Sequence, residues 1–372
     1  MGVIVSAGHI CLDITPVFPH GRKYDDISSL LVPGKLIAMD RADVHTGGSV
    51  ANTGLALKKL GCDVRLLGKV GDDPFGQIVG NIVACYGAGG LIIDPDVSTS
   101  YSVVLAVPGV DRVFLHNPGA NDTFRGSDIP DDAIEDADLF HFGYPSLMKC
   151  MYERNGEELA GLLARVKSMD IATSLDLAAV DPDSEAGRID WDGILQAVLP
   201  YVDFFVPSFE ELCFMLDRGK YEHLASLGKD MAECIDIERD VRPLALKSIE
   251  YGCRTVLIKC GIKGMFYLTS DSGGISGIGS RLNLDLNSWS NKSGLQRCYK
   301  ADEVRSGTGA GDTSIAAFLA AVMKGYEPAR CVSLACAEGA CCVTSYDALG
   351  GLQTLDELET RISKGWELME DI

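Results

Sequence analysis

Hydrophobic positions along the chain follow two different periods. Short apolar runs bounded by glycine, proline or acidic residues predict buried strands at Val3 to Ala7, Val64 to Val70, Leu139 to Phe142, Ile171 to Leu175, Phe204 to Val206 and Val256 to Lys259. Between them, apolar residues at helical spacing predict helices. One opens after Gly47-Gly48, with Leu55, Leu57 and Leu60 on its apolar face and Gly61 as its stop. Others run from Phe75 to Tyr86, over about 151–168 and 190–199, from Ser208, from Ser314 to Gly325, over about 328–344 and from Leu355 to Leu368. Strands that alternate with helices predict a mostly parallel central sheet flanked by helices.

Two regions break this alternation. Residues 14–45 carry only short apolar pieces, such as Leu30-Leu31-Val32 and Leu36-Ile37-Ala38-Met39. Ser100 to Val107 and Arg112 to His116 form a hairpin across Pro108-Gly109-Val110-Asp111. We expect these segments, about 14–45 and 99–118, to build a small β-sheet lid outside the main sheet. A second hairpin joins Val256–Lys259 to Met265–Leu268 through Cys260-Gly261-Ile262-Lys263-Gly264. Residues 217–240 read as a solvated helical insertion, and 270–300, rich in Gly, Ser and Asn, as a surface excursion.

Composition narrows the class. With 372 residues, 47% hydrophobic and 23% charged, the chain is ordinary globular protein, and we read residues 1–372 as a single domain carrying the lid. A net charge of -20 excludes nucleic acid and anionic membrane as partners, since both select basic faces. No apolar run reaches membrane-spanning length, and Met1 to His9 lacks the basic start of a signal peptide, so a cytoplasmic location is expected. The thirteen cysteines form no CxxC pair and read as free thiols serving as small apolar residues.

The chemistry concentrates in Gly307-Thr308-Gly309-Ala310-Gly311-Asp312-Thr313, directly ahead of an apolar helix. Glycines let a ligand approach the backbone, and the unpaired amides of a helix start attract phosphate. Asp312 would repel that phosphate unless it has a task of its own: capping the helix, or taking a proton from a hydroxyl that attacks phosphorus. Asp13, close behind the first strand, lies where α/β sheets bind ligands, though a solvated turn carboxylate fits the same pattern. Asn52, one turn inside the Gly47-Gly48 helix, offers donors and an acceptor. Ser208 and Glu211 complete a capping box, and Glu211 also suits Mg²⁺. His141, inside an apolar strand, reads as a satisfied core histidine.

Together these motifs resemble the ribokinase-like, or PfkB, carbohydrate kinases over essentially the whole chain. Thr308 to Thr313 matches that family's second signature, and Gly47-Gly48-x-x-x-Asn52, with Gly71-Asp72-Asp73 and Phe75-Gly76, looks like its first. The resemblance implies a ribokinase-like three-layer α/β sandwich that phosphorylates a hydroxyl of a sugar or sugar derivative with ATP and Mg²⁺. It implies Asp312 as base and the Gly309, Ala310 and Gly311 amides as anion hole. Asp13, Gly47, Gly48 and Asn52 would bind substrate, with Asp111 as a lid contact. Ser208, Lys259, Gly261, Gly264 and Thr308 would line the nucleotide site, and Glu211 would organise Mg²⁺.

Three positions depart from the pattern. Ser208 replaces the Asn of Asn-x-x-Glu. Ser306 stands where many members place an Asp that ligates a monovalent cation, so K⁺ activation does not carry over. Ser49 replaces the Lys of the ribokinase Gly-Gly-Lys-Gly pattern, which disfavours ribose. A nucleoside kinase of the adenosine type is the alternative, with Tyr24 or Phe114 to stack on a base, and a non-catalytic sugar- or nucleotide-binding regulator is a third reading. A dinucleotide-binding dehydrogenase does not fit, because Gly307-x-Gly309-x-Gly311 is not GxGxxG. The resemblance leaves open a homodimer paired through the lid.

Overall fold

The computed structural model describes residues 2–19, 30–108 and 113–370, so Tyr24 and Asp111 lie outside the described residues. Its strands, numbered along the chain, are β1 (Val3–Gly8), β2 (Cys11–Pro16), β3 (Ala42–Gly47), β4 (Asp63–Leu67), β5 (Lys69–Gly71), β6 (Ile92–Asp94) and β7 (Tyr101–Leu105). They continue as β8 (Val113–Asn117), β9 (Leu139–Gly143), β10 (Ala172–Asp176), β11 (Phe204–Phe205), β12 (Thr255–Lys259), β13 (Met265–Thr269) and β14 (Ser293–Gln296). The main sheet has the order β14-β13-β12-β11-β10-β9-β1-β4. From β12 to β4 every pair is parallel, while β13 runs antiparallel between β12 and β14.

The chain leaves β1 for β4 at one edge and then returns to β9 on the other side of β1. Chain order therefore reverses at β1, and such a switch point opens a crevice at the carboxyl ends of the strands. Helices cover both faces, because alternate strand residues point to opposite sides. Ile4 and Phe204 join one apolar core with Leu55, Phe318 and Val332, whereas Val5 and Phe205 join the other with Leu163, Ile194 and Leu212. The Ala310–Met323 helix is buried from Asp312 to Val322, and its alanines let the Pro328–Cys342 helix pack closely.

A second sheet, ordered β3-β2-β7-β8, stands apart, with β2 parallel to β7 and its other pairs antiparallel. It begins at Cys11, so Asp13 sits inside β2, because the chain passes from β1 into this sheet within two residues. Further differences from the expected elements have local causes. The run from Val64 to Val70 splits at Gly68, and β5 pairs with β6 in a small sheet of its own. The last helix closes at Ser363, where Gly365 turns left-handed. The insertion at 217–240 is packed as well as solvated, since Leu224, Ala232, Ile235 and Val241 are buried. Within 270–300, Trp289 is buried and β14 extends the main sheet. All thirteen cysteines are free.

Candidate active site

Five neighbouring parallel strands deliver side chains to one crevice. His9 follows β1, Tyr144 follows β9, Asp176 ends β10, Ser208 lies just past β11 and Lys259 ends β12. Facing them is the start of the Ala310–Met323 helix, whose N-cap Gly309 has φ +76°, a conformation that glycine adopts without strain.

Asp312, three residues into that helix, is 5% exposed. Its carboxylate accepts from Asn52 Nδ2 at 3.0 Å and Thr53 Oγ1 at 3.4 Å, both one turn into the Ser49–Lys59 helix. The Tyr144 hydroxyl shares its one proton between both carboxylate oxygens, at 2.7 and 2.8 Å. Burial raises the carboxyl above its ordinary value, while the Tyr144 hydrogen bond, the Lys259 charge and Asn52 pull it back. Asn52 is thus tied to Asp312 as well as placed near the crevice.

The glycine pair makes room for two polar groups. A side chain on Gly47 would collide with the Asp13 carboxylate, and one on Gly48, at φ +85°, would stand 2.6 Å from both the ring and the carbonyl of His9. Asp13 accepts from the Cys11 thiol at 3.3 Å, and burial raises its carboxyl. His9 is buried, and neither ring nitrogen has a partner among the described residues. Burial, then His116, lowers its pKa to about 3, so the ring is neutral. His141 is a satisfied core residue, bonded to Ser49 Oγ at 3.3 Å and Ser174 Oγ at 3.0 Å.

Beyond Asp312 lies a cavity of about 430 Å³, lined by Tyr144, Ser208, Glu211, Lys259, Gly261, Gly309 and Gly311 among others. Lys259 Nζ pairs with Asp176 Oδ1 at 2.8 Å and lies close to Gly311. Burial alone would lower Lys259, but Asp176, Glu211 and Asp312 together raise it, so it keeps its charge. Burial also raises Asp176, whose Oδ2 has no partner among the described residues.

Ser208 and Glu211 form the full capping box, with Ser208 N donating to Glu211 Oε2 at 2.7 Å and Glu211 N to Ser208 Oγ at 3.2 Å. Gly261 faces Ala232 of the insertion, while Gly264 is required where β14 crosses its backbone. The Ala310 amide donates to the Gly307 carbonyl at 3.3 Å, and Thr308 donates to Ser306 Oγ at 3.1 Å, so both are engaged within the loop. Thr308 does not line the cavity.

Tyr144 and Asp176 are the residues that sequence reasoning missed. Asp176 carries the signal that singled out Asp13, a lone carboxylate at the end of an apolar run. Tyr144 announces itself only as an aromatic between Gly143 and Pro145.

The switch-point crevice, the glycine-rich helix start and its carboxylate define a ribokinase-like α/β protein. An Arabidopsis thaliana ribokinase complexed with ribose and ATP shares this fold, with a TM-score of 0.70 at 19% identity, over 96% of this chain and 98% of that one. The family model described as pfkB family carbohydrate kinase matches residues 10–355, and the chain belongs to that family. The fructokinase of Solanum tuberosum is 30% identical over 151 residues, 40% of this chain and only 43% of that protein. Fructokinase-2 of Oryza sativa subsp. japonica is 26% identical over 337 residues, 86% of this chain and 85% of that protein. Among the described residues no helix is long and apolar enough to cross a membrane.

Proposed function

We propose that this chain transfers the γ-phosphoryl group of ATP to a hydroxyl of a sugar or sugar derivative. The observation that carries the proposal is the buried Asp312 carboxylate at the mouth of the cavity shared by Lys259, Gly309 and Gly311. A sugar hydroxyl is a poor nucleophile at neutral pH, and Asp312 takes its proton as the oxygen attacks phosphorus. The amides of Gly309 and Gly311 and the Lys259 ammonium meet the charge that develops on the transferring oxygens. Asp13, Gly47, Gly48 and Asn52 hold the remaining sugar hydroxyls, and the small sheet closes over them as a lid that excludes water.

The donor set fits Mg²⁺. Glu211 lines the cavity, and Asp176, joined to the cavity-lining Lys259, keeps its buried Oδ2 without a partner among the described residues; these oxygens would supply the hard ligands the ion takes. Glu211, with one oxygen committed to the Ser208 amide, would hold the ion through water. When bound, Mg²⁺ neutralises phosphate charge. We place the protein in the cytoplasm.

The relatives' names, fructokinase and a ribokinase bound to ribose and ATP, support a furanose-sized acceptor. Phe114, 56% exposed on β8, is the observation that favours the second reading, a nucleoside kinase in which an aromatic ring stacks on a base. The test is an ATP-consumption screen across ketoses, aldoses, polyols, sugar acids and nucleosides. Turnover with a sugar or derivative is expected, and turnover confined to nucleosides selects the second reading. Binding without phosphorylation of any compound overturns both in favour of a regulator.

A further inference from the structure

Tyr144 stands where an acceptor must stand. A hydroxyl that gives its proton to Asp312 has to come within about 2.6–3.2 Å of a carboxylate oxygen. The Tyr144 hydroxyl already lies within that range of both oxygens, and Asn52 and Thr53 take further positions. These three donors engage most of the carboxylate's roughly four lone-pair sites, and the phenol oxygen itself stands over both oxygens, so another donor has to enter where Tyr144 is. The phenol is no proton source for the base, since burial, then the Asp312 charge, raises it well above 10.

Its backbone supports the same conclusion. Tyr144 adopts φ +65°, left-handed for a bulky residue, directly before Pro145, and its amide donates to the Asp176 carbonyl at 3.3 Å. Strain of this kind persists at positions that switch or clamp. Beside the phenol, with ring centroids 6.1 Å apart, lies the neutral His9 ring with two unpartnered nitrogens among the described residues. A displaced hydroxyl finds there a buried acceptor.

We propose that Tyr144 is a positioning residue that holds the acceptor's place on Asp312, keeping water off the base until a polyhydroxylated substrate displaces it. The inference rests on Asp312 being the base. A water brings no binding energy beyond its own few hydrogen bonds, whereas a sugar held also by Asp13 and the Gly47-Gly48 backbone brings that of its other hydroxyls to the displacement. Without the phenol, water reaches the base. The water oxygen then bonds to the γ-phosphorus, the bond to the bridging oxygen breaks, ADP departs, and the water proton passes to Asp312.

The experiment measures ADP release from Mg·ATP alone, with no acceptor, by the wild type, Y144F and Y144L, each checked for folding by its melting temperature. Y144F is expected to hydrolyse ATP about 10-fold faster or more. It also loses the hydrogen bond that holds the Asp312 pKa down, so the acid limb of its pH profile moves upward. Its KM for the acceptor found in the screen falls, because nothing has to be displaced. Y144L, which also lacks the hydroxyl, decides the matter if Y144F does not fold. Unchanged or slower hydrolysis with an unmoved acid limb overturns the proposal. Fast hydrolysis that survives in Y144F/D312N instead overturns Asp312 as the base, which keeps the two failures distinct.

Discussion

Replacing Asp312 by Asn removes the charge while keeping the shape. The local bonding tolerates it. The new amide oxygen can accept from Asn52 Nδ2, 3.0 Å away, while its NH₂ donates to the Thr53 and Tyr144 hydroxyls, each able to accept. Folding is not penalised. Burial raises the Asp312 carboxyl in the folded state, so the native protein binds more protons there than the unfolded chain, and the ionised form costs stability as pH rises. D312N removes that cost and should melt at or above the wild-type temperature at pH 8. Loss of a positioned base should lower kcat about 100-fold or more, equal to about 2.7 kcal/mol on the barrier, with ATP binding retained. Steady-state ADP release with the acceptor from the screen, alongside an ATP titration, measures both. In the wild type, the same raised carboxyl puts the acid limb of kcat/KM above the ordinary carboxylate range, and D312N loses that limb. A variant that folds, binds ATP and turns over within 10-fold of wild type refutes the reasoning.

Two further outcomes follow from the geometry. G48A places a methyl group 2.6 Å from the His9 carbonyl at φ +85°, so it should lose about 2 kcal/mol of stability, seen as a lower melting temperature. It should also raise the acceptor KM, because the substrate-side backbone shifts; a wild-type melt and KM would show that the close approach is relaxed at no cost. Glu338 is buried in the Pro328–Cys342 helix, with Oε2 accepting the Gln353 amide at 3.3 Å, and burial pushes its pKa up to about 8. It therefore stabilises the fold less as pH rises from its ordinary value of 4.5 through 8, and E338Q should gain on the order of 2 kcal/mol relative to wild type at pH 9, with little gain at pH 5. Melting curves across that range check it, and a difference that does not vary with pH counts against a protonated Glu338.

The pieces whose role depends on a local pattern were legible in the chain. Gly307 to Asp312 opens a buried helix, Gly47-Gly48 opens another, and Ser208 with Glu211 forms the capping box that its spacing announces, since each depends on residues within a few positions. The rest depends on which strand ends lie side by side. Tyr144 and Asp176 matter because β9 and β10 pair in register, placing Gly143 opposite Asp176, with Tyr144 one residue farther along. No local period encodes that. Likewise β14 has a weak pattern of its own and becomes a strand because β13 offers it an edge, with Met265 paired to Gln296. Asp13, which the chain order suggests as a residue just past β1, belongs to a different sheet. It lies on β2 of the small sheet, paired with His45 and Ser102, and does not line the cavity beside Asp312.

The charges in the crevice bear on why its neutral and cationic parts are distributed as they are. Asp176, Glu211 and Asp312 surround the single ammonium of Lys259, an arrangement that by itself opposes a triphosphate. Two features reduce that opposition. Burial raises Asp176, which lessens the negative charge behind Lys259, and the Lys259 ammonium itself stands between that carboxyl and Gly311. Beside the proposed phosphate position stand the Lys259 ammonium, close to Gly311, and the start of a 14-residue helix. On the proposed reading, Asp312 faces the acceptor hydroxyl and Lys259 faces the phosphates. Proton removal and anion binding then fall on either side of Tyr144, whose hydroxyl bonds Asp312 and which also lines the cavity holding Lys259.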